Sequence, residues 1–370
     1  MKPENGQTTR WFFDRVQTAE ALADKIGVLI VANVQGRTKP LDDYEGDSII
    51  TEFLTNTELD HFIEGFEKAG IYCEVVLDEE GFLQWLNSKR SSFPRPHLMV
   101  YNLAQNGIGP ARLSAIPGLC RLYHIPLVDS DAYAVAVAQH KFHCAAILRQ
   151  LGLPAAKSWW FTKNGWWPQP PPDGLTVIAK PTYDSASIGI HKDSVFEIDS
   201  SAFEKLMSRV DVYHQPITVQ EFVSGFEVEV PVFEAEGPRT IAAIGIALHN
   251  KRNLHDSILM YDDVFSDKYA FYNFSEENPG AAMETMQFAQ RAFRSLCLNG
   301  LARIDFRVRP NGTPVIIEAA CKPHLTKHSS FMYAVGQLDK SHVDLLKFLI
   351  GSALRRHEID TTLQTKIVCH

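Results

Sequence analysis

The chain has 370 residues, 45% of them hydrophobic, with a formal net charge of −8 at pH 7. That length corresponds to two or three domains at roughly 150 residues each, with apolar residues enough for large cores. The acidic balance provides no basic field for nucleic acid or an anionic membrane. The N-terminus, MKPENGQTTRWFF, lacks an apolar signal core, and no uncharged apolar run is long enough to span a bilayer. The six cysteines, at 73, 120, 144, 297, 321 and 369, form no CxxC pair and read as reduced thiols of a cytosolic protein.

In chain order, residues 1–24 read as a polar arm with one amphipathic piece. Lys25–Asn33 is a continuous apolar run, the pattern of a buried strand. Thr55 and Glu58 form a capping-box signature, and Leu59, Phe62, Ile63, Phe66 and Ala69 continue at helical spacing to Gly70. Ile71–Leu77, His97–Leu103 and Ile125–Asp129 are further strands, so the first part is a parallel α/β domain with its chemistry at strand ends. Glu52, just before the first helix, is a candidate to meet a substrate amine, with a solvated loop acid as the competing reading. One helix is expected over 131–151, closed by Gly152, and it carries Lys141. Trp159–Asp173 reads as an aromatic, proline-rich connection without an assigned role.

Leu175–Pro181 is a β-branched strand ending in Lys180, and Thr182–Ile190 is a small-residue loop whose backbone N–H groups suit phosphate, though it is no Walker loop. Strands are expected over Ile217–Phe222, Val228–Phe233 and Arg239–Leu248. The polar, tyrosine-rich stretch 251–279, which contains Lys268 and Tyr269, has the length of a functional lid. Helices follow over Ala282–Leu298 and His342–Leu354, and the last dozen residues read as loose or edge-packed.

Between those helices lies GLARIDFRVRPNGTPVIIEAACKPHLTKHS, residues 300–329. Asn311-Gly312 between apolar runs signals a type I′ hairpin. That turn sets Asp305 opposite Glu318, with Arg303 on the same face as Asp305. Facing carboxylates repel, so a positive group belongs between them, and a divalent cation shared with substrate phosphates fits. Two solvated surface acids are the bland alternative.

The order of these signals resembles the ATP-grasp superfamily, and within it D-alanine–D-alanine ligase, over about residues 25–350. The resemblance implies an α/β ATP-grasp fold in three parts: an N-terminal parallel α/β domain over 1–126, a central subdomain over 127–218, and a C-terminal antiparallel-sheet domain over 219–370. It implies ATP and Mg²⁺ (or Mn²⁺) as cofactors, a small carboxylate or amino acid and an amine as substrates, and a homodimer. Lys141, in His140-Lys141, and Lys180 match the lysines on the phosphates, and Ser187 in KPTYDSASIG matches the loop's second serine. Gln220, Glu221, Phe222 and Val223 match the hinge beside adenine, and Glu227 the acid on the ribose. Lys268 and Tyr269 match the lid pair, Arg303 the oxyanion arginine, Asp305 and Glu318 the metal ligands, Ser329 the serine on the acceptor's carboxylate, and Glu52 the glutamate on the first substrate's amine.

The pattern departs where the family reads E-x-N-x-x-P-G-x-T-x-x-S. Ala320 stands for the metal-binding asparagine, His324 for the oxyanion-hole glycine, and Ala186 for the first loop serine. These changes surround the substrates and spare the ATP lysines and carboxylates. A carboxylate–amine ligase with a changed substrate is therefore expected. A small-molecule kinase on the same scaffold and a non-catalytic nucleotide-binding regulator are the alternatives.

Overall fold

A computed structural model describes residues 9–44 and 46–367, with Phe265 and 359–367 as backbone only. The polar start, residues 1–8, and the side chains of the last dozen residues lie outside it. The chain runs through helix α1 (Arg10–Ala21), strand β1 (Ile26–Ala32), α2 (Asn56–Lys68), β2 (Tyr72–Leu77), α3 (Asp78–Ser88), β3 (His97–Leu103) and α4 (Ala115–Leu122). These build a parallel sheet in the order β2-β1-β3. All seven residues of β1 are buried. Because side chains alternate along a strand, Val28, Ile30 and Ala32 face one core, and Leu29 and Val31 face the other. The first core contains Phe62 and Phe66 of α2, on the spacing read from the sequence. Both halves of the capping box are present, with Glu58 N donating to Thr55 Oγ1 and Thr55 N donating to Glu58 Oε2. The expected strand over 125–129 is reduced to a bridge at Leu127 with two hydrogen bonds to Val100.

Within the expected polar arm, helix α1 is the amphipathic piece, and its apolar face is core. Its Phe12 stacks on Phe348 with ring centroids 4.9 Å apart, and Trp11 meets Phe233 and Phe348. Phe348 belongs to the closing helix, labelled α11 below. That helix passes so close that a Cβ on Gly351 would enter the backbone carbonyl of Arg15.

The expected helix over 131–151 is two: α5 (Ala132–Gln139) and α6 (Lys141–Gln150). The break is at His140, whose ψ of 88° is not helical and whose ring accepts the N–H of His143. Imidazole capping of the second segment is the physical reason, and periodicity does not reveal it. The aromatic connection is a hairpin, β4 (Ser158–Thr162) and β5 (Gly165–Trp167), with Trp160 stacked on Phe142. Then follow β6 (Thr176–Pro181), β7 (Val195–Glu197), α7 (Ala202–Tyr213) and β8 (Ile217–Glu221). They complete an antiparallel sheet in the order β5-β4-β8-β6-β7.

A third sheet, β12-β11-β9-β13-β14 with β10 beside β9, comprises β9 (Phe226–Glu234), β10 (Pro238–Thr240), β11 (Ile244–Leu248), β12 (Tyr269–Asn273), β13 (Leu301–Val308) and β14 (Pro314–Ala320). The single strand expected over 239–248 is thus β10 and β11. Helices α8 (Tyr261–Phe265), α9 (Pro279–Ser295), α10 (Ser330–Gly336) and α11 (His342–Ile367) complete the order. Val228, Val230 and Val232 pack with Ile304 and Phe306 against Ala289 and Phe293 of α9. The alternate residues, Glu227, Glu229, Arg303, Asp305 and Arg307, therefore line the opposite face.

The hairpin reaches the expected register by another route. Arg309 N donates to Thr313 O and Gly312, at φ +88°, closes a three-residue loop, so Asn311 needs no positive φ. That loop alone would misalign the acids by one residue. A bulge between Asp305 and Phe306 restores the pairing, and Asp305 faces Glu318.

Candidate active site

A cleft of about 650 Å³ lies between the three sheets. Of the sixteen residues matched from sequence, it gathers Lys141, Lys180, Ser187, Gln220, Glu221, Phe222, Val223, Glu227, Tyr269, Arg303, Asp305, Glu318, His324 and Ser329. Glu52 and Lys268 are not on its wall. The break at His140 starts α6 at Lys141, whose N–H donates to Thr182 O. The Lys141 ammonium reaches the carbonyl of Asp184 and lies 3.0 Å from Glu318 Oε1, tying the phosphate-type loop to the third sheet. Lys180, at the end of β6, is buried and has no carboxylate within ion-pair distance among the described residues. Burial holds its pKa below the usual lysine value. Such a cation invites an anion.

The two facing carboxylates are already countered from within. Arg303 binds Asp305 through two parallel hydrogen bonds, Nε to Oδ1 at 2.7 Å and Nη2 to Oδ2 at 2.8 Å. Burial opposes ionisation of Glu318, but Lys141 and Lys180 keep its pKa below the usual carboxylate value. Burial raises Asp305, against the pull of Arg303. Arg303 itself is held well above its usual value by Asp305 and Glu229, although burial acts the other way. Among the described residues no group of three or more His, Cys, Asp or Glu is drawn around one point. Two carboxylates suit a cation whose remaining ligands are waters and phosphate oxygens. Ala320, also on the wall, contributes no donor.

Tyr44, Asp47 and Glu52 clasp the loop 182–191. Tyr44 and Gln215 each donate to Asp184 Oδ2 at 2.8 Å. Asp47 accepts from Gly189 N and Tyr213. Glu52, 1% exposed, accepts from Ser185 N and Ser185 Oγ at 2.7 Å each, and Arg112 lies 2.6 Å from its other oxygen. Its carboxylate is thus spent inside the protein, and Ser185 supplies a hydroxyl that Ala186 lacks. Ala186 and Ser187 both adopt positive φ, an arrangement that costs about 1–3 kcal/mol per residue and marks a segment fixed by its surroundings.

The stretch 251–279 folds over the cleft as α8 and β12. Ser187 Oγ donates to Leu259 O, and Tyr261 N donates to Ile190 O. Across the opening, His328 Nδ1 lies 2.5 Å from Asp267, and its ring packs beside Tyr269. Lys268 is exposed outside this closure. Ser329 caps α10, accepting from Met332 N while donating to Thr326 O. On the hinge side, Glu221 pairs with Arg309, Glu227 with Arg307 3.1 Å away, and Gln220 Oε1 is buried without a partner among the described residues.

Sequence reading missed Glu229, which register places beside Asp305 on β9, with Arg303 Nη1 3.2 Å away. Burial pushes its carboxyl up to about 7 against the opposing pull of Arg303. The i, i+2 pair Glu227 and Glu229 in FEVEV is the signal that shows both acids share one face. Arg112 carried no such signal.

Solved structures with this architecture include the D-alanine–D-alanine ligase of Bacillus anthracis complexed with ATP. Its TM-score is 0.65 at 14% identity, covering 90% of this chain and 99% of that one. The VanG D-Ala:D-Ser ligase of Enterococcus faecalis gives 0.63 at 15%, covering 89% and 99%. The chain thus has the fold of these ligases. The curated D-alanine–D-alanine ligase of Bacillus velezensis is 28% identical over 252 residues, 65% of this chain and 68% of that protein. The family model "D-ala D-ala ligase C-terminus" matches residues 147–351, more than half the chain, which therefore belongs to the D-alanine–D-alanine ligase family.

Proposed function

We propose that the protein uses ATP to join a small carboxylate, of amino-acid type, to an amine through an acylphosphate, with substrates changed from two D-alanines. The observation that carries the reading is the convergence on one cleft of Lys180, unpaired and buried, with Lys141, Glu318, Asp305 and Arg303. Lys180 and Lys141 hold the phosphates, and the unpartnered Gln220 Oε1 accepts from the base. Asp305 and Glu318 would hold a metal ion, which would supply charge neutralisation at the phosphates. The clasped loop and the closed lid exclude water from the acylphosphate. Arg303 receives charge that develops on the carbonyl oxygen as the amine attacks. Ala320 and His324, both facing the cleft, motivate the changed substrate. The VanG relative, which by its name forms D-Ala:D-Ser, supports the view that the acceptor varies within this fold.

The test is a screen of amino-acid and amine pairs with ATP and Mg²⁺, reading released phosphate and then product mass. Pair-dependent phosphate and an amide are expected. ADP with a phosphorylated product and no free phosphate identifies a kinase instead. ATP binding with no substrate-dependent turnover identifies a regulator.

A further inference from the structure

Arg303 is shared unequally between two acids. It grips Asp305 with two hydrogen bonds but touches Glu229 through one nitrogen, Nη1, at 3.2 Å from Oε1. Glu229 is 6% exposed, Ser330 lies beside its carboxylate, and its Oε2 is buried in the cleft wall without a hydrogen-bond partner among the described residues. A buried, unused carboxylate oxygen is costly unless some state of the protein uses it. A guanidinium can satisfy both oxygens of a carboxylate at once. A second bidentate seat for Arg303 is therefore already built, one strand away from the first.

We infer that Glu229 is the positioning residue that takes Arg303 from Asp305 when a divalent cation binds there. In the structure Arg303 is the positive group on both oxygens of Asp305. Each Asp305 oxygen keeps a further lone pair, but a cation there would sit against the positive charge of the guanidinium. Transfer to Glu229 frees Asp305, keeps the guanidinium charge-paired, and leaves it at the reacting end of the cleft. This rests on the proposed ligase site, because it takes Asp305 and Glu318 as the cation's ligands.

The test needs no turnover. Mn²⁺ is titrated into the full-length protein at saturating ADP, and free Mn²⁺ is read by electron paramagnetic resonance, for wild type, Glu229→Gln, Arg303→Met and the double variant. With Glu229 gone, Arg303 has only Asp305, so Mn²⁺ should bind about tenfold more weakly. In the Arg303→Met background, Glu229→Gln should change Mn²⁺ affinity less than about twofold, since the competitor is absent. Glu229→Asp, which keeps the charge on a shorter stem, should fall between wild type and Glu229→Gln, and it stands in should the glutamine variant not fold. Equal weakening in both backgrounds overturns the inference, because the acid then acts only through its field or as a ligand. Unchanged or tighter binding by Glu229→Gln also overturns it. A wild type that binds no Mn²⁺ with ADP removes the proposed ligase site and this inference with it.

Discussion

At the scale of single residues, the cleft is a set of charges that satisfy one another. Lys141 sits on Glu318, Arg303 on Asp305, Arg307 on Glu227 and Arg309 on Glu221. Lys180 is the exception, which makes it the sharpest probe of nucleotide binding. Lys180→Met should raise the KM for ATP at least about tenfold, since a charge-assisted hydrogen bond is lost from a buried site. Steady-state phosphate release against ATP concentration checks this. Asp305→Asn and Glu318→Gln should each lower the maximal rate by about 10²–10³-fold, the scale of a metal ion's charge stabilisation. An unchanged rate in either variant removes that residue from the cation site. Most of these groups were legible because they recur in a recognisable order with fixed local spacing, as in ARIDF and KPTYDSASIG. Glu52 was legible as a residue and not in its surroundings. Its partners Arg112 and Ser185 come from 60 and 133 positions away, and such distances leave no local signature. Glu52→Gln should accordingly lower the melting temperature and loosen the loop at 182–191, read by calorimetry and hydrogen exchange.

At the scale of elements, the hairpin and the helix break carry opposite lessons. The alternation in β13 and β14 gave the right facing pair from the wrong turn, because a three-residue loop and a bulge each shift the register by one and cancel. Strand periodicity survives such local edits; turn type does not. The break at His140 left no trace in the apolar pattern, which runs on through it. Its cause is electrostatic and local, a ring that caps α6 and stacks on His143 3.6 Å away. Burial, with the neighbouring His143, lowers the pKa of His140 from 6.5 to about 4. Below pH 6.5 the unfolded chain therefore binds a proton that the folded protein refuses. This contribution to stability is complete above pH 6.5 and is lost as the pH falls towards 4. His140→Asn keeps an acceptor at the cap and removes the titration. Its melting temperature should fall less steeply than that of wild type between pH 6.5 and 4. Parallel slopes in the two proteins would show that His140 ionisation is not coupled to folding.

At the scale of the whole molecule, the parallel sheet was readable from its continuous apolar runs, whereas the ligase family and its C-terminal antiparallel sheet were readable only from the order of the motifs. The fate of residues 10–21 was not readable. A short amphipathic helix tells which face is apolar and nothing about which partner it meets. That partner is α11, with Phe12 on Phe348 and Lys347 Nζ 2.7 Å from Glu20, 327 positions away. Phe12→Ala should cost about 3–5 kcal/mol, as expected for a fully buried aromatic ring. Denaturant titration checks it, and a cost under 1 kcal/mol would mean the helix pair is not a cooperative part of the fold.

The joining of the earliest and latest helices has a further consequence for synthesis. While the polypeptide is still emerging, Phe12, Phe62 and Phe66 have no Phe348 or Leu349 to cover them. The parallel sheet cannot finish its interior until translation has passed α11. Nascent protein should therefore carry a sticky aromatic surface until that helix emerges to cover it.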